Sequence, residues 1–153
     1  MSLSSLNKDK IAAVVATACA GIATGCLTFV SAVDVRSFLT HVKNEKIDLI
    51  KDHFPIWWPY GRDLMIPVLV SGVLSNLLAF RLTKHVNFAY TAALIGCIGP
   101  YTGIILGEDI EALRKSNAAE VGKSTRRFCN LHHVRLVAAA AGFGLSLFAL
   151  ADI

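Results

Sequence analysis

Charged residues are absent from three long stretches of this chain and crowd into the segments between them. No side chain is charged at any helical phase from residue 11 to 33, from 64 to 80 or from 86 to 107, and residues 131–151 carry one arginine, Arg135. A helix rises 1.5 Å per residue, so about 20 apolar residues cross the roughly 30 Å of hydrocarbon in a bilayer. The pattern predicts four spanning helices at about residues 11–33, 64–82, 86–107 and 131–151. A soluble four-helix bundle would show a charged stripe along the outer face of every helix, and these stretches have none. The predicted fold is all-α: a single integral membrane domain over residues 1–153, built as a four-transmembrane-helix bundle.

An even number of spans puts both termini on one side and two long connections, residues 34–63 and 108–130, on the other. In the first connection Val35, Phe38, Leu39, Val42, Ile47, Ile50 and Phe54 recur at roughly helical spacing, with Lys43, Lys46, Lys51 and Asp52 between them. This predicts an amphipathic surface helix between spans one and two. Pro55 and Pro59 are expected to end it, and Trp57, Trp58 and Tyr60 to sit at the membrane interface or to roof a pocket. Lys8 and Lys10 precede the first span, whose apolar run exceeds the ~7–15 residues of a signal core, so a retained anchor is expected. The two long connections hold ten Lys/Arg against nine acids, a balance that leaves sidedness open.

Composition agrees with the pattern: 54% of residues are hydrophobic and 17% charged. The net charge of +4 comes with no basic run interleaved with aromatics, which argues against nucleic acid as a partner. Cys19 and Cys26 lie about 10 Å apart along one predicted helix, too far for a disulfide. Cys97 falls within a span and Cys129 in a connection, so the cysteines read as small buried apolar residues. His41, His53, His85, His132 and His133 include no pair at a ligand spacing of three or four, and neither a metal nor a cofactor is expected.

Small residues recur every three or four positions in each span: Ala13, Thr17, Gly21 and Thr24; Gly72, Ser75 and Ala79; Ala89, Ala93 and Gly96; Ala139, Gly142 and Ser146. Such ridges bring helix backbones close, which drives association in lipid, and they predict a tight bundle. Arg135 is in phase with the last ridge and should face inward, with His132 one turn before it. The topology brings Thr102, Glu108, Asp109, Arg62, Asp63 and Asp34 to the same end of the bundle. An ionisable group at membrane depth marks a site or a buried pair, so Arg135 is expected to meet a carboxylate from Glu108, Asp109 or Asp34.

Three segments carry a resemblance. Ile98-Gly-Pro-Tyr-Thr102, then Gly107-Glu-Asp-Ile-Glu-Ala-Leu113 and Leu131-His-His-Val-Arg-Leu136 make the chain similar to the anthrone oxygenase-like family of small four-span membrane proteins. The resemblance covers nearly the whole chain. It implies oxidation of an anthrone to an anthraquinone by molecular oxygen, with Thr102, His132 and Arg135 lining the substrate site, Arg135 stabilising a phenolate and His132 taking a proton. The chain departs from the family at Glu108-Asp109-Ile110, where many members have an asparagine shortly before the leucine that matches Leu113.

Two functional expectations follow. The first is a non-catalytic accessory subunit of a larger membrane complex, surrounded by lipid and by other membrane subunits. Chain ends tied in place would suit such a subunit, and a respiratory assembly of the mitochondrial inner membrane is the commonest setting. The second is the oxygenase. They differ in one geometric respect: an oxygenase for a tricyclic phenol needs a cavity of about 300 Å³ or more. The departure at 108–110 and the missing ligand spacing favour the first, with His132 and Arg135 tied to neighbours and at most a narrow polar crevice.

Overall fold

The computed structural model describes residues 3–115 and 118–153, with side chains from Lys8 onward apart from that of Ala118; the chain start at Met1 lies outside them. The described residues form helices α1 (Leu3–Val30), α2 (Arg36–Lys43), α3 (Ile47–Thr83), α4 (Val86–Gly96), α5 (Ile98–Ile105), α6 (Gly107–Lys115) and α7 (Ala118–Ala151), with one π turn at Ser31–Val35 joining α1 to α2. Four helical rods, Lys8–Lys43, Ile47–Thr83, Val86–Ile105 and Ala119–Ala151, are long and apolar enough to cross a membrane. The chain is an integral membrane protein with an all-α, four-helix core.

The first connection takes a different form from the expected one. The amphipathic face between Val35 and Phe54 is helical, but it does not lie along the surface as a separate element. Its first half continues span one through the π turn, its second half is the start of α3, and the reversal occupies only 44–46, where Glu45 adopts a left-handed φ of 58°. Pro55, Pro59 and Pro67 all lie inside α3 without ending it. Each proline removes one ladder hydrogen bond, and helices packed in a membrane protein tolerate that loss because neighbouring groups satisfy the freed carbonyls.

A helix of 37 residues is about 55 Å long, nearly twice the hydrocarbon thickness. The rods therefore run on past the membrane on the side away from the termini and form a helical headpiece there. Its core is large and partly aromatic: Phe38, Ile50, Phe54, Leu106, Leu113, Val121 and Phe128 are buried together. Trp57, Trp58 and Tyr101 pack against this core.

The membrane half packs on small residues instead. Ala13, Ala16, Ala20, Ala23, Ala79, Ala139 and Ala149 are wholly buried. A Cβ added at Gly72 would stand 3.3 Å from Ile95, and one at Gly21 3.1 Å from Phe143, so these glycines are sites of close helix contact. Polar side chains bridge the helices: Thr91 donates to the Gly142 carbonyl at 2.8 Å, Thr17 to Ser146 at 3.2 Å and Asn76 to Ala16 at 3.2 Å. The ridges of spans one, two and four pack as expected, whereas that of span three does not: Ala93 and Gly96 are exposed, and the span turns Phe88, Thr91, Ala92 and Ile95 inward instead.

Span three is interrupted. Between α4 and α5 the helix breaks at Cys97, where Pro100 has no N–H to offer the Gly96 carbonyl. The segment α4 packs along both α3 and α7, whereas α5 touches α3 only sparsely.

Candidate functional site

Where α5 stands away from α3, the bundle is open. A cavity of about 430 Å³ lies at the junction of the membrane half and the headpiece. Leu27, Met65, Leu69 and Ile98 form its apolar walls, Trp57 and Trp58 bound it toward the headpiece, and Thr102, His132 and Arg135 supply its polar end. The narrow crevice expected from the sequence is therefore not what forms. Small residues close the bundle where they stack in register, and the break at Cys97 interrupts that stacking at this level.

Helix α7 sets the polar end. Phe128, His132 and Arg135 are four and three residues apart and share one helix face. His132 is buried, and its Nε2 lies 3.2 Å from the Leu27 carbonyl oxygen. A carbonyl only accepts, so Nε2 carries the proton and Nδ1 is left as an acceptor. Nδ1 receives a hydrogen bond from Nη2 of Arg135. The imidazole is thus neutral, fixed in one tautomer, and basic toward the guanidinium.

Arg135 is only 7% exposed. Nη1 donates to the Thr102 hydroxyl at 3.4 Å, the guanidinium carbon lies 5.3 Å from the centre of the Phe128 ring, and Nε has no hydrogen-bond partner. Among the described residues no carboxylate pairs with it. The expected ion pair is absent because each candidate acid is engaged or placed elsewhere. Asp34 lies beside the side chains of Trp57 and His53. Asp109 is buried beside Arg127, 3.3 Å away, and Ser124. Glu108 is exposed. Arg62 and Asp63 pair with each other at 2.7 Å on the surface, with Arg62 at the cavity rim. The polar cluster read from topology therefore separates into independent pairs, leaving Arg135 as a buried cation whose partners are a neutral imidazole, a hydroxyl and a ring.

The two tryptophans belong to the cavity and to the aromatic core above it. Phe54 stacks on Trp58 with centroids 5.9 Å apart and meets Phe128 edge-on at 5.6 Å; Phe38 meets Trp57 edge-on at 5.5 Å. Tyr60 points away and is exposed. Sequence reasoning did not identify the apolar walls, nor two contributors at the polar end. Phe128 was legible as the residue seven before Arg135 on the same face. The Leu27 carbonyl was not, because a backbone acceptor leaves no mark in the residue type. Burial holds the Asp109 carboxyl above its ordinary range, against the opposing pull of Arg127 and Ser124. Among the described residues no three His, Cys, Asp or Glu side chains converge as a metal site would require.

Compared with protein-family models, with curated proteins and with solved structures, the chain matches none of them.

Proposed function

We propose that this membrane protein binds a flat, apolar, fused-ring molecule bearing an acidic oxygen, and that it acts on it as an oxygenase of the anthrone type. The observation that carries this reading is the buried Arg135 guanidinium, without a carboxylate, at the polar end of an apolar cavity of about 430 Å³. A guanidinium stays charged at any physiological pH, and a buried charge without a counter-ion costs several kcal/mol. An anionic ligand oxygen would supply that counter-ion. Apolar walls bounded by Trp57 and Trp58 suit aromatic rings, and the volume exceeds the roughly 300 Å³ that a tricyclic ligand requires.

The chemistry assigned to the residues is proton transfer followed by charge stabilisation. As the ring oxygen approaches, the guanidinium turns from His132 toward it. Nδ1 of His132, freed of its donor, takes the proton, and Arg135, positioned by its bond to the Thr102 hydroxyl, holds the resulting oxyanion. The electron-rich enolate then reduces molecular oxygen. The ring methylene loses both hydrogens and gains one oxygen atom as the quinone carbonyl, while the second oxygen atom leaves as water.

The test is oxygen uptake by the purified protein in lipid nanodiscs with an anthrone as substrate. Uptake should be abolished in Arg135→Ala while the helical circular dichroism and the melting curve are retained. Absence of uptake together with absence of anthrone binding would reject the reading. Recovery of stoichiometric membrane partners in mild detergent, from a protein that binds no ring ligand, would restore the accessory-subunit reading.

A further inference from the structure

We infer that the cavity takes its ligand sideways from the bilayer, through an opening between α3 and α5 kept clear by Gly61, Gly99 and Gly103. The inference builds on the ligand-binding reading above and adds the route of entry, and with it a substrate class that partitions into lipid. Three observations carry it.

Gly99, Gly103 and Ile66 line the cavity and are at the same time exposed on the outer surface of the spans. A residue that faces both the interior and the lipid marks an opening, and all three lie in segments charge-free enough to sit within the hydrocarbon. The opposite approach, from the headpiece, is filled by the packed rings of Phe54, Trp57, Trp58 and Phe128.

The glycines themselves supply the second observation. A Cβ added at Gly21, Gly72 or Gly142 would meet a neighbouring side chain at 3.1–3.4 Å, as expected where glycine permits helix contact. A Cβ at Gly61, Gly99 or Gly103 would meet nothing within 4 Å, and no glycine of the described residues has a positive φ. Neither packing nor backbone conformation calls for glycine at these three positions. Gly25, Gly107 and Gly144 share the open surroundings, but none of them lines the cavity. What Gly61, Gly99 and Gly103 have in common is that a side chain there would stand in the passage.

The third observation is the cavity's internal gradient. The wall beside the opening is apolar at Met65, Ile66 and Leu69, the exposed Arg62 at the rim is paired with Asp63, and the buried cation Arg135 lies on α7. A molecule entering from lipid would keep its rings in apolar surroundings throughout and meet Arg135 only on full insertion, which orients its acidic oxygen inward.

Trp57 and Trp58 are the chain's two tryptophans, and both border the cavity, so intrinsic fluorescence reports ligand arrival without a label. The test is stopped-flow quenching by a dihydroxyanthraquinone, with the full chain in phosphatidylcholine nanodiscs. Gly99→Leu and Gly103→Leu should slow association and dissociation alike by about tenfold, with Kd within about threefold of the unaltered protein, because a doorway changes rates and not the equilibrium. Arg135→Gln should leave association nearly unchanged and speed dissociation. Ile66→Phe narrows the same opening from α3 at a lipid-exposed position, and serves if a glycine variant does not fold. Unaltered rates in the glycine variants and in Ile66→Phe would overturn the lateral route while leaving binding intact. A weaker Kd at an unchanged association rate would also overturn it, placing the new side chain in the site. No quenching in the unaltered protein would remove the binding reading and this inference with it.

Discussion

The membrane half of the bundle and its headpiece bury different proportions of small and large side chains along the same helices. Below the cavity the core is mainly alanine, with Ala13, Ala16, Ala20 and Ala79 fully buried around Phe88 and Ile95; above it the core is Phe54, Ile50, Leu106 and Phe128. The difference follows from solvent. In lipid an apolar side chain gains little by turning inward, so association depends on close backbone approach and on bonds such as Thr91 to Gly142. In water the hydrophobic effect operates, and large side chains contribute most when buried. The cavity lies where one regime gives way to the other. Alanine contacts thin out, aromatic packing has only begun, and beyond Cys97 α5 touches α3 only sparsely.

The comparison is most exposed to failure at Phe128, which belongs to the headpiece core and also lies over Arg135. Phe128→Ala should cost about 3–5 kcal/mol of stability and weaken ring-ligand binding, read by thermal unfolding and tryptophan quenching. A loss below about 1 kcal/mol would mean that the headpiece is not held by its aromatic core.

Arg135 should behave in the reverse sense. Arg135→Met replaces an uncompensated charge with an apolar chain, so the unliganded fold should gain about 1–3 kcal/mol, while affinity for an acidic ring ligand falls about a hundredfold, or ~2.7 kcal/mol. A destabilised variant with unaltered affinity would make Arg135 a structural residue.

Gly72→Val tests the small-residue regime, since its side chain would meet Ile95 at van der Waals limits. Overpacking should cost about 1–3 kcal/mol, and unfolding in a detergent series is the measurement. The equivalent substitution at Gly103 should cost almost nothing, and a similar penalty at both sites would erase the distinction between packing glycines and doorway glycines.

A smaller effect is expected from Asp109 in the headpiece. Its folded-state pKa is raised by burial, so the folded chain holds this proton more tightly than the unfolded one. Its contribution to stability is therefore greatest below the ordinary carboxylate range and declines as pH rises through the raised value. Asp109→Asn should flatten that part of a melting-temperature profile taken from about pH 4 upward; an unchanged slope would show that other groups set it.

The smallest effect is at Lys84, which ends α3 with a left-handed φ of 62°. Lys84→Gly should add about 0.5–1 kcal/mol by relieving that conformation, without changing ligand binding, and equilibrium unfolding would detect it.

Hydropathy alone determined the number of spans, the all-α class and the shared side of the two long connections, because the cost of placing a charge or an unpaired peptide group in hydrocarbon is large enough to be read residue by residue. Helical phase alone put His132 and Arg135 on one inward face, since that depends only on 3.6 residues per turn. It could not say what they meet. Pro55 and Pro59 look like stops in the sequence but are not, because whether a helix survives a lost hydrogen bond depends on the neighbours that satisfy the freed carbonyl. The carboxylates near Arg135 were misassigned for a related reason: topology brings Asp34, Glu108 and Asp109 to the right end of the bundle, but partner choice is settled over 3–4 Å, by Trp57 and Arg127 at closer range. The cavity was likewise beyond sequence reasoning. It is the volume left where four helices fail to touch, and that failure is a property of their relative positions, which the order of residues along any one helix does not contain.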